Sequence, residues 1–112
     1  MNLTPLEKEV LDWFALHNID ESLQQQCAQA FVTSREYTGV GMYINLSCPS
    51  ELNKVEFNCA PNAPFISSPL LKHGAGVDLW FESGRIHYIE IVAFGDILFP
   101  ESQFSYSLVD SL

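Results

Sequence analysis

Basic residues are scarce in this chain of 112 residues, where five lysines and arginines stand against 14 aspartates and glutamates, for a formal net charge of -9. Nucleic acids and anionic membranes both require basic surface on the protein that binds them. The charge therefore argues against either one as a direct partner and fits a partner that is itself basic. The commoner role of acidic surface is only to keep a protein soluble, and that alternative stays open.

Long apolar runs and export signals are also missing. No stretch approaches the ~18 apolar residues of a membrane span. The first ten residues, MNLTPLEKEV, carry charge from Glu7 onward and contain no apolar segment of a signal peptide. The cysteines, Cys27, Cys48 and Cys59, are odd in number and irregularly spaced, which fits reduced thiols. We therefore expect a cytoplasmic protein with no membrane partner.

No spacing in the chain marks a metal site or a catalytic centre. The cysteines and the histidines form no CxxC, HxxxH or similar pair. A Cys–His nucleophile needs an exposed electropositive setting, which an acidic chain disfavours. No serine lies in a G-x-S-x-G context. We therefore predict that the protein is not an enzyme and holds no metal or cofactor.

What the chain does contain is apolar residues in two periodicities. Its 47% hydrophobic and 12% aromatic residues predict one packed domain over residues 1–112. Thr4-Pro5-Leu6-Glu7 is typical of a helix start with a capping box, and Asp20 can cap a second helix. We predict helices over about 5–17 and 21–32, with Phe14 and Phe31 packed on a sheet.

The strongest β pattern is a central hairpin over residues 77–94. Val77, Leu79 and Phe81 alternate with polar residues and Trp80, which predicts a strand with one buried face. Ser83-Gly84 then supplies a two-residue turn, and the second strand is rich in β-branched and aromatic residues. This turn pairs Glu82 with Arg85, Phe81 with Ile86 and Trp80 with His87.

The second strand of the hairpin does not fit a regular ladder. Ile86 falls on the face of Leu79, whereas Ile89 falls on the opposite face. Either both faces of the sheet are covered, or a bulge near His87-Tyr88 exchanges the faces. We expect two partly buried faces, because Val92 stays apolar on the first face.

The remaining β segments are shorter. Residues 37–46 predict one strand, in which Gly39 or Gly41 has a positive φ or lies against another backbone. Residues 54–58 predict a short strand, and the proline-bearing segment 59–71 predicts an irregular connector. The resulting fold class is α+β: two N-terminal helices on an antiparallel sheet of about four to five strands, within about residues 36–108.

The hairpin also carries candidates for binding a partner. Asp78, Trp80 and Glu82 alternate along one strand face, and further acids follow. Such a face is most often simply solvated, but acids beside aromatic residues are also typical of surfaces that dock lysine and arginine. The predicted partner-binding residues are Asp78, Trp80, Glu82, Glu90, Asp96 and Glu101. The competing surface is on the helices: Glu7, Glu9, Asp12, Asp20 and Glu21.

Two stretches resemble a widespread group of small, largely uncharacterised bacterial proteins. Residues 35–43, REYTGVGMY, are similar to an R-x-x-T-G-V-G-F-Y strand, and residues 73–100 resemble an HGAGF-x-LF-x-x-DGR segment that continues with LE, YGD and P. The chain departs from the group at Ser83, where the group has Asp, and at Ala93-Phe94, where it has a more polar stretch. The resemblance leaves the helices outside and implies no catalytic residues.

In size, charge and lack of an export signal, the chain also resembles immunity proteins of contact-dependent growth inhibition and other polymorphic toxin systems. Such proteins act in the cytoplasm and bind a toxin domain, often a nuclease, over its active site or substrate surface. The resemblance implies a protein that neutralises a cognate, basic toxin by occlusion. The alternative is a non-catalytic small-ligand or structural binding module, and the oligomeric state stays open.

Overall fold

The computed structural model describes residues 2–112 and contains two helices followed by a six-stranded antiparallel sheet. The strand order across the sheet is β1-β2-β5-β4-β3-β6. The α+β prediction is confirmed, but the sheet has six strands rather than four to five. The elements are α1 (Pro5–His17), α2 (Glu21–Ala28), β1 (Phe31–Tyr37), β2 (Gly41–Ser47), β3 (Phe65–Ser68), β4 (Leu71–Glu82), β5 (Arg85–Ala93) and β6 (Ser107–Val109).

Local capping sets the starts of both helices, as predicted. The Glu7 backbone N–H donates to Thr4 Oγ1 over 3.2 Å, and the Thr4 backbone N–H donates to Glu7 Oε1 over 2.8 Å, which completes the capping box. Asp20 accepts from the Leu23 backbone N–H over 2.9 Å. Within residues 2–112, neither helix is long and apolar enough to cross a membrane.

The predicted end of the second helix, near residue 32, is wrong. Helix α2 ends at Ala28, and the chain enters β1 at Phe31. The β-branched pair Val32-Thr33 favours an extended backbone, and Val32 is buried, which turns Phe31 outward. Phe31 is therefore 46% exposed, whereas Phe14 is fully buried as expected.

Residues 37–46 do not form one strand: they contain the end of β1, a turn at 38–40 and most of β2. Gly39 lies in that turn with a φ of 88°. Gly41 lies in β2, where a Cβ atom would come within 1.8 Å of the carbonyl oxygen of Ile91 on β5. The expectation for the glycines is therefore confirmed at both positions, while the single strand is wrong because the turn that Gly39 permits divides it.

The central hairpin is longer than 77–94 and contains the bulge. Its turn has positive φ at Ser83 and Gly84, 52° and 79°, as a two-residue hairpin requires. Phe81 faces Ile86, but Trp80 faces Tyr88 rather than His87, so His87 is the extra residue.

The bulge at His87 decides which face of β5 is buried. Beyond it, Ile89 pairs with Leu79 and Ile91 with Val77, and these four side chains are all buried on one face. Of the two alternatives, the bulge is therefore the one present, because the extra residue brings the apolar side chains of both strands to the same side. The opposite face is partly buried, as expected, at Trp80 and Tyr88. Val92, on the other side, is 40% exposed.

The segments between β2 and β4 also differ from the prediction. Residues 54–58 form no strand and contact the hairpin through isolated hydrogen bonds, such as the Val55 N–H to the Gly84 carbonyl over 2.9 Å. The predicted connector, 59–71, contains β3, which pairs with both β4 and β6. Its three prolines, Pro61, Pro64 and Pro69, lie outside β3 instead of interrupting it, so none removes a backbone donor from the strand.

The sheet has a buried inner face, packed against both helices, and an outer face that no helix within residues 2–112 covers. Buried Gln26 joins α2 to the hairpin, because its amide donates to the carbonyls of Asn53 and Gly84 and accepts from the Ile86 N–H over 2.7 Å. The core combines Val10, Phe14 and Leu23 of the helices with Met42, Ile44, Leu46, Ile66, Ala75, Val77, Leu79, Phe81, Ile86, Ile89, Ile91 and Ala93 of the sheet.

Candidate functional site

Strand register assembles polar and aromatic side chains in two rows across the outer face. Because alternate residues of a strand share a face, cross-strand partners on β1, β2, β5 and β4 line up perpendicular to the strands. We call these side chains the outer-face cluster. One row is Glu36, Tyr43, Glu90 and Asp78, and the other is Ser34, Asn45, Tyr88 and Trp80.

Two carboxylates oppose each other in the first row. Asp78 and Glu90 are direct cross-strand partners, an arrangement of like charges that destabilises a sheet. Partial burial, and then the charge of Glu90, raise the pKa of Asp78 above its ordinary value. The ion pairs within residues 2–112 join other side chains, so neither carboxylate is neutralised inside the chain.

Aromatic rings hold the cluster in a fixed arrangement. The Trp80 indole N–H donates to Glu90 Oε1 over 3.2 Å, and its ring stacks on Tyr88 with centroids 6.2 Å apart. Tyr88 contacts Tyr43 edge to face at 5.6 Å. A hydrogen bond to Glu90 raises the pKa of the Tyr43 hydroxyl. The half-buried rings therefore present large, rigid contact area beside negative charge.

A groove of about 190 Å³ adjoins the cluster at Asp78 and Glu90. The rings of Phe65 and Phe94 lie on its walls with centroids 6.2 Å apart. Gly76 allows the Phe94 ring to pack close to the β4 backbone, because a Cβ atom there would lie 3.0 Å from Phe94 Cζ. The groove is therefore apolar along most of its length and acidic at one end. Its other lining residues are Ala63, Pro64, Val77 and Val92.

The structure brings together three of the six predicted binding residues: Asp78, Trp80 and Glu90. Glu82 lies at the hairpin end, where its carboxylate is 3.7 Å from His87 Nε2. Asp96 is in the exposed turn after β5 and belongs to neither row. Glu101 is in the loop between β5 and β6, where its carbonyl accepts from the Tyr37 hydroxyl over 3.0 Å, and it belongs to neither row. The six residues therefore do not form one surface patch.

Sequence reasoning missed the other five members of the cluster: Ser34, Glu36, Tyr43, Asn45 and Tyr88. In its strand, each of these residues alternates with residues of the inner face. That alternation can be recognised in the sequence and predicts an outward side chain. These side chains come together because the β1–β2 turn and the bulge at His87 set the strand pairing. The β1–β2 turn was not predicted.

Glu7 does not belong to the competing acidic surface of the helices, because its side chain is buried. Glu7 is 2% exposed, and Arg35 donates to its carboxylate from Nε over 2.6 Å and from Nη2 over 2.7 Å. Burial acts to raise the pKa of Glu7, but the Arg35 and Thr4 hydrogen bonds and the charge of Arg35 outweigh burial and hold it below its ordinary value. Glu7 as a partner contact is therefore wrong.

The other helix acids differ in availability. Asp20 caps α2, and exposed Asp12 pairs with Lys8 over 3.4 Å. Glu9 hydrogen-bonds Tyr106, whose pKa is raised to about 12 by burial and then by this contact. Glu9, Asp12 and Glu21 remain exposed.

A second cavity, of about 210 Å³, lies between the start of α1 and the loop before β6. Leu6, Ile44 and Phe104 are among its apolar lining residues, and the Arg35–Glu7 pair lies on its wall. Because Glu7 already holds two Arg35 hydrogen bonds and the Thr4 N–H, its carboxylate serves the fold.

Thiol chemistry has little support in the geometry. The three cysteines are free. Burial, followed by the charges of Asp12 and Cys48, raises the pKa of Cys27 to about 12, so its thiol stays protonated at neutral pH. Within residues 2–112, no three His, Cys, Asp or Glu side chains form a group that could hold a metal ion.

Comparisons with protein-family models, with curated proteins and with solved structures found no match to this chain. The resemblances drawn from the sequence motifs and from the charge therefore stay predictions. Any function has to be argued from the surface itself.

Proposed function

We propose that this chain is an immunity-type inhibitor that binds a basic toxin domain through the outer-face cluster. The observation that carries the proposal is a sheet face on which two opposed carboxylates, neither of which forms an ion pair within residues 2–112, lie beside stacked aromatic rings. The net charge of -9 supports a basic partner. The resemblance to immunity proteins as a class suggests that this basic partner is a toxin domain.

The mechanism is occlusion rather than chemistry. A nuclease toxin presents lysine and arginine to the phosphates of its substrate. Asp78 and Glu90 pair with those cations, and Trp80 with Tyr88 supplies the desolvated contact area that dominates most interfaces. The bound inhibitor then covers the surface that the substrate needs. We propose no catalytic residue, cofactor or direct nucleic-acid contact for this chain, and we place its action in the cytoplasm.

Growth rescue and binding test this function together. The product of the upstream gene is expressed in cells with and without this chain, and the purified proteins are mixed in a calorimeter. We expect rescue and a complex whose association slows as salt rises, because steering between exposed opposite charges is screened. A neighbouring toxin that neither binds nor is neutralised would contradict the proposal.

The second cavity favours one other candidate, a small-ligand module. An apolar ligand there would shift NMR signals of Leu6, Ile44 and Phe104. Toxin binding at the outer face would instead shift signals of Trp80 and Tyr88, so the two functions give separate signatures.

A further inference from the structure

The groove beside the cluster combines two kinds of wall. The rings of Phe65 and Phe94 and the side chain of Val92 make its sides apolar. Phe94 and Val92 are each 40% exposed, so these apolar walls are in contact with solvent. Apolar surface left open in this way is a feature of binding sites.

The carboxylates lie at one end of this groove and not along it. Asp78 and Glu90 both line it, face each other across β4 and β5, and form no ion pair with a basic residue in the part of the chain that the structure describes. A cation placed between them would relieve their mutual repulsion. A ligand that matches the whole groove must therefore be apolar along its length and positively charged at one tip.

We propose that the groove receives one long basic side chain, arginine or lysine, of the protein partner. This inference rests on the proposed function. The methylene stem lies along the groove against the rings of Phe65 and Phe94, and the charged head contacts Asp78 and Glu90. Lysine and arginine are the side chains that combine an apolar stem with a cationic tip. Arginine is also enriched among residues that dominate binding energy.

Gly76 is the residue that lets the Phe94 wall form. A Cβ atom at this position would approach Phe94 Cζ to 3.0 Å, so any side chain would push the Phe94 ring away from β4 and change the groove. The groove therefore selects for shape as well as charge. A short cation would reach the carboxylates without filling the walls, and a neutral chain would fill the walls without meeting the carboxylates.

The test uses small probes and the isolated protein, so it does not depend on the toxin. n-Butylguanidinium carries both stem and charge, guanidinium lacks the stem, and n-butylurea lacks the charge. NMR titration of each probe should show n-butylguanidinium shifting Phe65, Gly76 and Phe94, with an affinity about tenfold or more above that of either comparator.

Variants distinguish the contribution of the carboxylates from that of the apolar walls. Asp78→Asn with Glu90→Gln should weaken n-butylguanidinium about tenfold or more, because the isosteric amides remove only charge. Phe94→Ala should weaken n-butylguanidinium but leave guanidinium unchanged. Glu82→Gln, on the same strand but outside the groove, is the matched control and should change neither.

Three outcomes would overturn the inference. Equal binding of guanidinium and n-butylguanidinium would show that the stem is not held. Equal binding of n-butylurea would assign the groove to an apolar side chain. Shifts outside the groove would place the cation elsewhere.

Failure of this inference and failure of the proposed function give different results. If n-butylguanidinium did not bind while the toxin still bound, the groove assignment alone would be wrong. If the toxin did not bind while n-butylguanidinium did, the proposed function alone would be wrong.

Discussion

Two acidic regions of this molecule have opposite roles. Glu7 is buried, receives hydrogen bonds from Arg35 and from the Thr4 backbone N–H, and has a lowered pKa. Asp78 faces Glu90 on an uncovered surface without a cation, and its pKa is raised. The first carboxylate therefore stabilises the fold, whereas the second pair is held at some cost to it. Charge that does not serve the fold is the charge most available to a partner.

The largest effect on stability is expected from removing Arg35, the partner of buried Glu7. Arg35→Met leaves the Glu7 carboxylate buried with its main partner removed, which typically costs about 3–5 kcal/mol of the free energy of unfolding. Urea denaturation measures that loss. Lys8→Met, which removes the exposed Lys8–Asp12 pair on the same helix, is the control and should cost at most about 1 kcal/mol. Similar losses in both variants would mean that burial does not distinguish the pairs.

The next effect compares neighbours on opposite faces of β4. Leu79→Ala should cost about 2–5 kcal/mol of unfolding free energy, because it opens a cavity in the core. Trp80→Ala should cost clearly less stability but weaken toxin binding by about 2 kcal/mol or more, as expected of an aromatic anchor. Chemical denaturation and calorimetric titration of both variants give the two quantities. A loss below about 1 kcal/mol for Leu79→Ala would invert the face assignment.

The opposite pKa shifts predict opposite dependence on pH. The pKa of Glu7 in the folded protein is below its ordinary 4.5, so its stabilisation is complete above that pH and is lost as the pH falls through the folded value. Glu7→Gln should therefore differ most from the parent at neutral pH and converge with it in acid. Unfolding measured from pH 7 downward tests this, and a constant difference would contradict it.

For Asp78 the sign is reversed. Its pKa in the folded protein is above the ordinary 3.8, so ionisation opposes folding above the folded value, and the cost disappears below 3.8. Asp78→Asn should be slightly more stable than the parent at neutral pH, by a few tenths of a kcal/mol, roughly the scale of a cross-strand pair. The gain should vanish on acidification. A variant that is less stable at neutral pH would show that Asp78 serves the fold.

Sequence reasoning succeeded where a feature is local and failed where it depends on distant pairing. The Thr4–Glu7 capping box and the Ser83-Gly84 turn need only neighbouring residues, and both are present. The bulge at His87 was one of two open alternatives, because only packing against the helices decides which face of β5 is buried. Strand β3 was missed since its short apolar content is stabilised by β4 and β6.

The candidate site shows the same limit. Asp78, Trp80 and Glu90 were identified because they share a hairpin whose turn fixes their approximate register. Glu36 and Tyr43 were not, since they reach the cluster through pairing of β1 with β2 and of β2 with β5. Nothing in the residues near Glu7 reveals that Arg35, far along the chain, would bury it in an ion pair.

The most direct test of the central claim compares two charge reversals with identical net charge. One variant carries Asp78→Lys and Glu90→Lys, and the other carries Glu9→Lys and Asp12→Lys on exposed α1 positions. Calorimetry with the cognate toxin, after denaturation has shown that both variants fold, measures the affinity of each. We predict that the outer-face variant loses about 2–5 kcal/mol of binding free energy and fails to protect cells, while the helix variant stays close to the parent. An outer-face variant that still binds and protects, beside a helix variant that does not, would contradict the account.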